Sequence, residues 1–185
     1  MVAGIRDTKQ RSFFEDQGAA TQLFDLNEQP EEMAKVLKGV DAVVFSAGSG
    51  GKTGDDQTLL IDLDGAVKSM EATQKAGIKR FVIVSAMNAE DRTLWTAIKP
   101  YYVAKHYADL YLKDETNLDY TIIKPGVLTN ETGKGGVQLN QRKGQIARED
   151  VAEVIVATLH NDQTIKKEFA ISEGKTPVSE AVSQV

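Results

Sequence analysis

The chain has 185 residues and a formal net charge of −5 at pH 7, from 22 basic and 27 acidic side chains. That length suits one domain with a sizeable core, and without a basic tract neither nucleic acid nor an anionic membrane is expected as a main partner. There is no cysteine and there are only two histidines, His106 and His160, which removes disulfides, thiol catalysis, zinc–thiolate centres and histidine-rich metal sites.

Val2 to Ile5 is a short apolar run ending in Arg6-Asp7. A helix pattern follows, with Asp7 placed as N-cap and Gly18 as the stop. Ala20 to Phe24 reads as a strand closed by Asp25. Pro30 suits a first helical position, Glu31 and Glu32 the first turn, Lys35 and Lys38 the last turn, and Gly39 the exit. Asp41-Ala42-Val43-Val44-Phe45 is a continuous apolar strand, as in a sheet covered on both faces. The loop Ser46-Ala47-Gly48-Ser49-Gly50-Gly51-Lys52-Thr53-Gly54 comes next. Leu59, Leu63, Ala66, Val67 and Met70 recur at helical spacing, and Gly77 ends that pattern. Lys79 to Val84 is another strand, ending at Ser85. A helix carries Tyr101 and Lys105, with Val103, Tyr107 and Leu110 on roughly its opposite side. Tyr120 to Ile123 is a strand running into Pro125-Gly126. A polar, Gly-rich stretch spans Thr129 to Gly144, Arg148-Glu149-Asp150 opens a long helix through Leu159, and Phe169 to Ile171 reads as a last short strand.

No apolar run approaches the roughly 20 residues of a membrane span. Met1 to Arg6 lacks the charged start and long apolar middle of a signal peptide, so a cytoplasmic protein is expected. Repeated strand–helix–strand units imply a mostly parallel sheet with right-handed crossovers. No linker or internal repeat divides the chain, so residues 1–185 are expected to form a single domain. Ligands on such sheets bind beyond the carboxyl ends of the strands. That rule selects Arg6, Asp25, Ala47-Gly48, Ser85 and Pro125-Gly126, converging with Tyr101 and Lys105 on one rim.

A Tyr and a Lys four apart on a helix lie about 40° apart around its axis, so both reach one cleft. A nearby ammonium favours phenolate, and Lys105 is expected to lower the pKa of Tyr101 and fit it for acid–base work. Gly51-Lys52-Thr53 invites a phosphate-loop reading. That motif needs a Gly five residues before Gly51, where Ser46 stands, so an NTPase is set aside.

Several segments together resemble a known family. They are Ile5-Arg6-Asp7, Asp25-Leu26, Asp41 through Gly48, Ile61 through Ala66, Lys79 through Ser85, Tyr101 through Lys105, Asp119 through Gly126, and Arg148 through Ala152. In this order the chain resembles an atypical short-chain dehydrogenase/reductase of the NmrA-like, NAD(P)-binding Rossmann type. The resemblance implies a Rossmann-like doubly wound α/β fold with a parallel sheet. Family members open with a strand and a Gly-rich turn that holds the pyrophosphate. Here Met1 to Arg6 matches the family's second strand, so the first, central strand of the sheet is expected to be missing, as from an N-terminal truncation of roughly 30 residues.

The same resemblance implies site roles. Arg6 pairs with a 2′-phosphate, favouring NADP over NAD, or is a surface arginine. Asp25 and Leu26 flank the adenine, or Asp25 simply forms a turn. Ala47, Gly48 and Ser49 bring backbone close to the cofactor. Ser85 either polarises a carbonyl or caps backbone; in many relatives that hydroxyl falls one or two residues later, at positions occupied here by Ala86 and Met87. Tyr101 is the acid–base group, Lys105 holds ribose hydroxyls, and Pro125-Gly126 shapes the loop beside the nicotinamide. Asp62 either hydrogen-bonds across the cleft or faces solvent, and Trp95 either covers a substrate or packs.

The implied activity is reduction of a small carbonyl, quinone or flavin-like acceptor by NADPH, with NADH possible, in a monomer or homodimer with a small-molecule substrate and no metal. The other reading is a non-catalytic NADP(H)-binding redox sensor that binds a protein partner.

Overall fold

The structure, a computed structural model, describes residues 1–51, 53–95 and 98–185. Lys52, in the phosphate-loop reading above, lies outside them. The strands and helices are β1 (Val2–Ile5), α1 (Arg11–Glu15), β2 (Ala20–Leu23), α2 (Pro30–Val36), β3 (Ala42–Phe45), α3 (Asp55–Gln57), α4 (Ala66–Lys75), β4 (Arg80–Val84), α5 (Lys99–Asp114) and β5 (Asp119–Pro125). Then follow β6 (Val127–Thr129), β7 (Gly136–Leu139), β8 (Gln145–Ala147), α6 (Arg148–Leu159), β9 (Lys167–Glu173), β10 (Thr176–Pro177) and α7 (Val178–Ser183). A π-helical stretch, Thr58–Gly65, joins α3 to α4.

The local signals have visible causes. The Asp7 side chain accepts from Lys9 N, and the Gln10 side chain reciprocates to the Asp7 backbone, closing a capping box. Pro30 starts α2 over two acidic residues. Gly39 and Gly77 end their helices at φ of 85° and 76°, where a side chain would be strained.

The main sheet runs β10-β7-β9-β5-β4-β3. Its four strands from β9 to β3 pair in parallel, while β7 and β10 join antiparallel. The Gly-rich stretch 129–144, read from sequence as irregular, therefore supplies β7. Isolated Gly and polar residues hide its short apolar alternation.

Successive strand residues face opposite sides. Val82 and Ile123 pack under α6 and α7 with Val151, Val154 and Val182. Phe81, Ile83 and Ile122 pack on the other face with Ala66, Met70, Ala108 and Leu112. The sheet centre is thus covered by helices on both sides, which is why Phe81 to Val84 reads as an unbroken apolar run, whereas β3 at the edge leaves Val44 exposed.

β1 and β2 form a separate two-stranded parallel sheet. β3 is the outermost strand of the main sheet and pairs only with β4 among the described residues. The expected place of a central strand, between β1 and β3, is therefore an interruption in the backbone ladder. Strand edges such as these carry unpaired N–H and C=O groups. α2 still joins the smaller sheet to the rest, packing Met33 and Ala34 on Ala72 of α4. No helix among the described residues is long and apolar enough to cross a membrane.

Candidate functional site

α5 is the backbone of the site. Pro100 opens it and Lys113 sits in its last turn, matching the helix dipole. Its face towards the sheet carries Tyr101, Lys105 and Asp109 at four-residue spacing.

Lys105 is buried at 3% exposure. Its Nζ lies 3.5 Å from Asp62 Oδ1 and donates to Val84 O at 3.3 Å. The ammonium also stands 5.5 Å from the centre of the Tyr101 ring. Burial pulls the Lys105 pKa down, and the carboxylates of Asp62 and Asp109 oppose that.

Asp62 comes from the π-helical stretch, a geometry that re-aims side chains and recurs at functional sites. Its Oδ2 accepts from Ser49 N at 3.0 Å. One carboxylate thus ties the loop after β3 to the lysine of α5, which answers the question left open by the sequence. A Cβ added to Gly48 would stand 3.0 Å from Asp62 Oδ1, so this loop needs bare backbone there.

Tyr101 differs from expectation in its electrostatics. Burial, then the charge of Asp62, pushes its pKa well above the ordinary phenol value. Lys105 does not lower it, because Asp62 already engages that ammonium. The phenol is held neutral, as a proton donor.

Ser85 ends β4 with its hydroxyl buried. Its Oγ donates to Asp109 Oδ2 at 2.6 Å rather than into open space. Asp109 escaped sequence reading, although the run Tyr-x-x-x-Lys-x-x-x-Asp was a visible signal that the third residue shares the face. Pro125 is buried at the end of β5, and Gly126 adjoins it, with its N–H donating to Ile171 O at 2.9 Å.

The remaining rim residues divide. Arg6 is exposed just past β1, with its backbone N–H on Gln10. Asp25 accepts twice from Asn27 at 2.9 Å, from its backbone and its side chain, and so makes a turn. Leu26 packs beside Gly65 and between two core clusters. Ala47, Gly48 and Ser49 follow β3 at its carboxyl end, the first two exposed. Trp95 donates from Nε1 to Ala89 O and stacks parallel to Tyr102, with ring centres 6.5 Å apart. His106 contacts the same Ala89 carbonyl through Nδ1. Among the described residues no group of three or more acidic or histidine side chains is placed to hold a metal.

The fold has close counterparts. A family model described as NAD(P)H-binding matches residues 1–162. The chain is 48% identical over 186 residues to the uncharacterized sugar epimerase YhfK of Bacillus subtilis (strain 168), covering 99% of this chain and 86% of that protein. It is 41% identical over 197 residues to the UPF0659 protein YMR090W of Saccharomyces cerevisiae, covering 100% of this chain and 86% of that one. In structure it is similar to the oxidoreductase ylbE from Lactococcus lactis, with a TM-score of 0.91 and 40% identity over 100% of this chain and 84% of the other.

Proposed function

The chain belongs to the NAD(P)H-binding family, and from that premise we propose that it reduces a small carbonyl, quinone or flavin-like acceptor at the rim formed by Tyr101, Lys105 and the loop 47–49. The observation that carries this reading is the Tyr101–Lys105 pair on one helix face, with Asp62 brought to Lys105 from the π-helical stretch, beside a loop where an added Cβ at Gly48 would press on Asp62.

The residues fit a dinucleotide. Gly48 and Gly126 offer bare backbone at strand ends, and Lys105 holds its ammonium through two long contacts, leaving donor capacity for ribose hydroxyls. Arg6 is an exposed guanidinium at the end of β1, suited to a 2′-phosphate and hence to NADP over NAD. When bound, the nicotinamide supplies hydride. Tyr101 supplies the proton from its phenol oxygen, which burial keeps neutral until transfer, and Lys105 holds ribose hydroxyls. Asp62 opposes the lowering of the Lys105 pKa that burial causes. The proposed reductase uses NADP rather than NAD and acts on a small molecule in the cytoplasm.

A second reading is a non-catalytic NADP(H) sensor. The observation favouring it is the Ser85 hydroxyl, which is spent on Asp109 rather than offered to an acceptor.

The two readings separate by measuring NADPH and NADH binding by fluorescence, then NADPH consumption over quinones, flavins and aldehydes. Turnover with any acceptor supports the reductase. Firm NADPH binding without turnover supports the sensor, and no binding of either nucleotide sinks both.

A further inference from the structure

Asp109 has no part in the chemistry above, yet its surroundings are unusual. Its side chain is 4% exposed. Oδ2 takes the Ser85 hydrogen at 2.6 Å, and Oδ1 has no hydrogen-bond partner among the described residues. The titratable groups facing it are Lys105 and Tyr101 from its own helix, Lys124 from β5 and Glu168 from β9. Neither lysine bonds it. Lys105 Nζ turns to Asp62 and Val84 O, and Lys124 Nζ lies 3.0 Å from both Glu90 and Glu168. A buried carboxylate with one oxygen unpaired is costly, so the site favours a neutral acid.

Resting on the reductase reading, we propose that Asp109 is a positioning residue whose protonation sets the direction of its hydrogen bond with Ser85. As a carboxylate it takes the Ser85 hydrogen on Oδ2, and that hydroxyl is closed to the cleft. As a carboxylic acid it donates its own hydrogen to Ser85 Oγ, and the Ser85 hydrogen is released to an acceptor oxygen at the end of β4. One proton is taken from solvent and no bond between heavy atoms changes. The two states require the carboxyl to titrate within the working range of pH. Burial pushes it up, to about 7, against the lowering effects of the Ser85 bond and of Lys124 and Lys105.

This arrangement unites the two readings of Ser85. The hydroxyl is spent on Asp109 at high pH and becomes a hydrogen-bond donor to substrate at low pH. A donor aimed at a developing oxyanion is worth about 10²-fold or more in rate, so a large step in turnover is expected.

The test uses the intact chain labelled at the Asp carboxyl carbons, followed by NMR from pH 5 to 9 without cofactor, with Asp109→Asn for assignment. Asp109 is expected to titrate near neutrality, and Ser85→Ala to move its midpoint upward by removing the donor that favours the charged form. Turnover of the wild type with its best acceptor should then fall at least tenfold as pH rises through that midpoint. The Asp109→Asn and Ser85→Ala proteins should each lack that step.

A carboxyl already charged at pH 5, a midpoint unmoved in Ser85→Ala, or an Asp109→Asn profile with the wild-type step would each overturn the proposal. Absence of turnover with every acceptor would instead remove the reductase reading. The NMR midpoint and its Ser85→Ala shift still judge the hydrogen-bond switch in that case, with no need for a folded Asp109 variant beyond assignment.

Discussion

Lys105 Nζ lies 3.5 Å from Asp62 Oδ1, with both side chains almost wholly buried at 3% and 1% exposure. Two consequences follow from that pairing. The lysine is fixed under the Tyr101 ring before any ligand arrives, and the loop after β3 is fixed with it through Ser49 N.

Removing one partner of a buried ion pair strands the other. Asp62→Ala is expected to cost roughly 3–5 kcal/mol of stability in urea unfolding. Asp62→Asn keeps an acceptor for Ser49 N and should lose less. Equal midpoints for wild type and Asp62→Ala would show that the pair does not hold the site.

Tyr101→Phe removes the proposed proton donor while keeping the ring against Lys105. Turnover should drop about 10²- to 10⁴-fold with NADPH affinity nearly unchanged. Steady-state kinetics beside a binding titration checks this, and undiminished turnover rejects Tyr101 as the acid.

Arg6 is an exposed cation at the end of β1. If it meets a 2′-phosphate, Arg6→Ala should weaken NADPH by about 1.5–3 kcal/mol, roughly ten- to a hundredfold, and leave NADH alone. Parallel titrations with the two nucleotides decide it; equal losses for both count against that role.

Gly126 is packed against backbone, since an added Cβ would stand 2.4 Å from Gly144 O. Gly126→Ala should destabilise by about 1–3 kcal/mol through overpacking. Gly51 meets nothing within 4 Å, so Gly51→Ala serves as a control expected within about 0.5 kcal/mol of wild type. Thermal or urea midpoints of the pair give the comparison.

Asp109 also has a signature in stability against pH. Its carboxyl is held above the ordinary Asp value, at about 7, so between about 4 and 7 the folded state keeps a proton that the unfolded state releases. This contribution is fully present below the unfolded pKa and is lost as pH rises through the folded one. The loss is at most about 1.4 kcal/mol per pH unit for a single proton. Asp109→Asn should lack that downward slope, so the difference between the two proteins' stability curves, wild type minus variant, should fall as pH rises from about 4 to 7. Parallel curves for wild type and variant would contradict the raised value.

Much of the fold was legible residue by residue. Pro30 and Gly39 bracket α2 because their backbone chemistry is local, and Ala42 to Phe45 declares a strand because every side chain there is apolar, although at the sheet edge Val44 is exposed rather than covered. That β1 and β2 pair apart from the main sheet is a matter of strand pairing. Short β7 was not legible, since its pairing with β9 and β10 is made across distant chain. Trp95 and His106 meet on Ala89 O by the same kind of non-local packing.

For the site, spacing alone placed Tyr101 and Lys105 on one helix face, because 3.6 residues per turn is a property of the backbone, and Asp109, at the same spacing, was passed over. What each group does there depends on charges brought in from elsewhere. Asp62 reaches Lys105 from a π-helical stretch, and Ser85 reaches Asp109 from 24 residues away. Burial then strengthens those contacts and lifts both the phenol and the Asp109 carboxyl above their ordinary values. A linear pattern records which groups are available, whereas water exclusion and proximity, which set their proton affinities, arise only when the layers close over them.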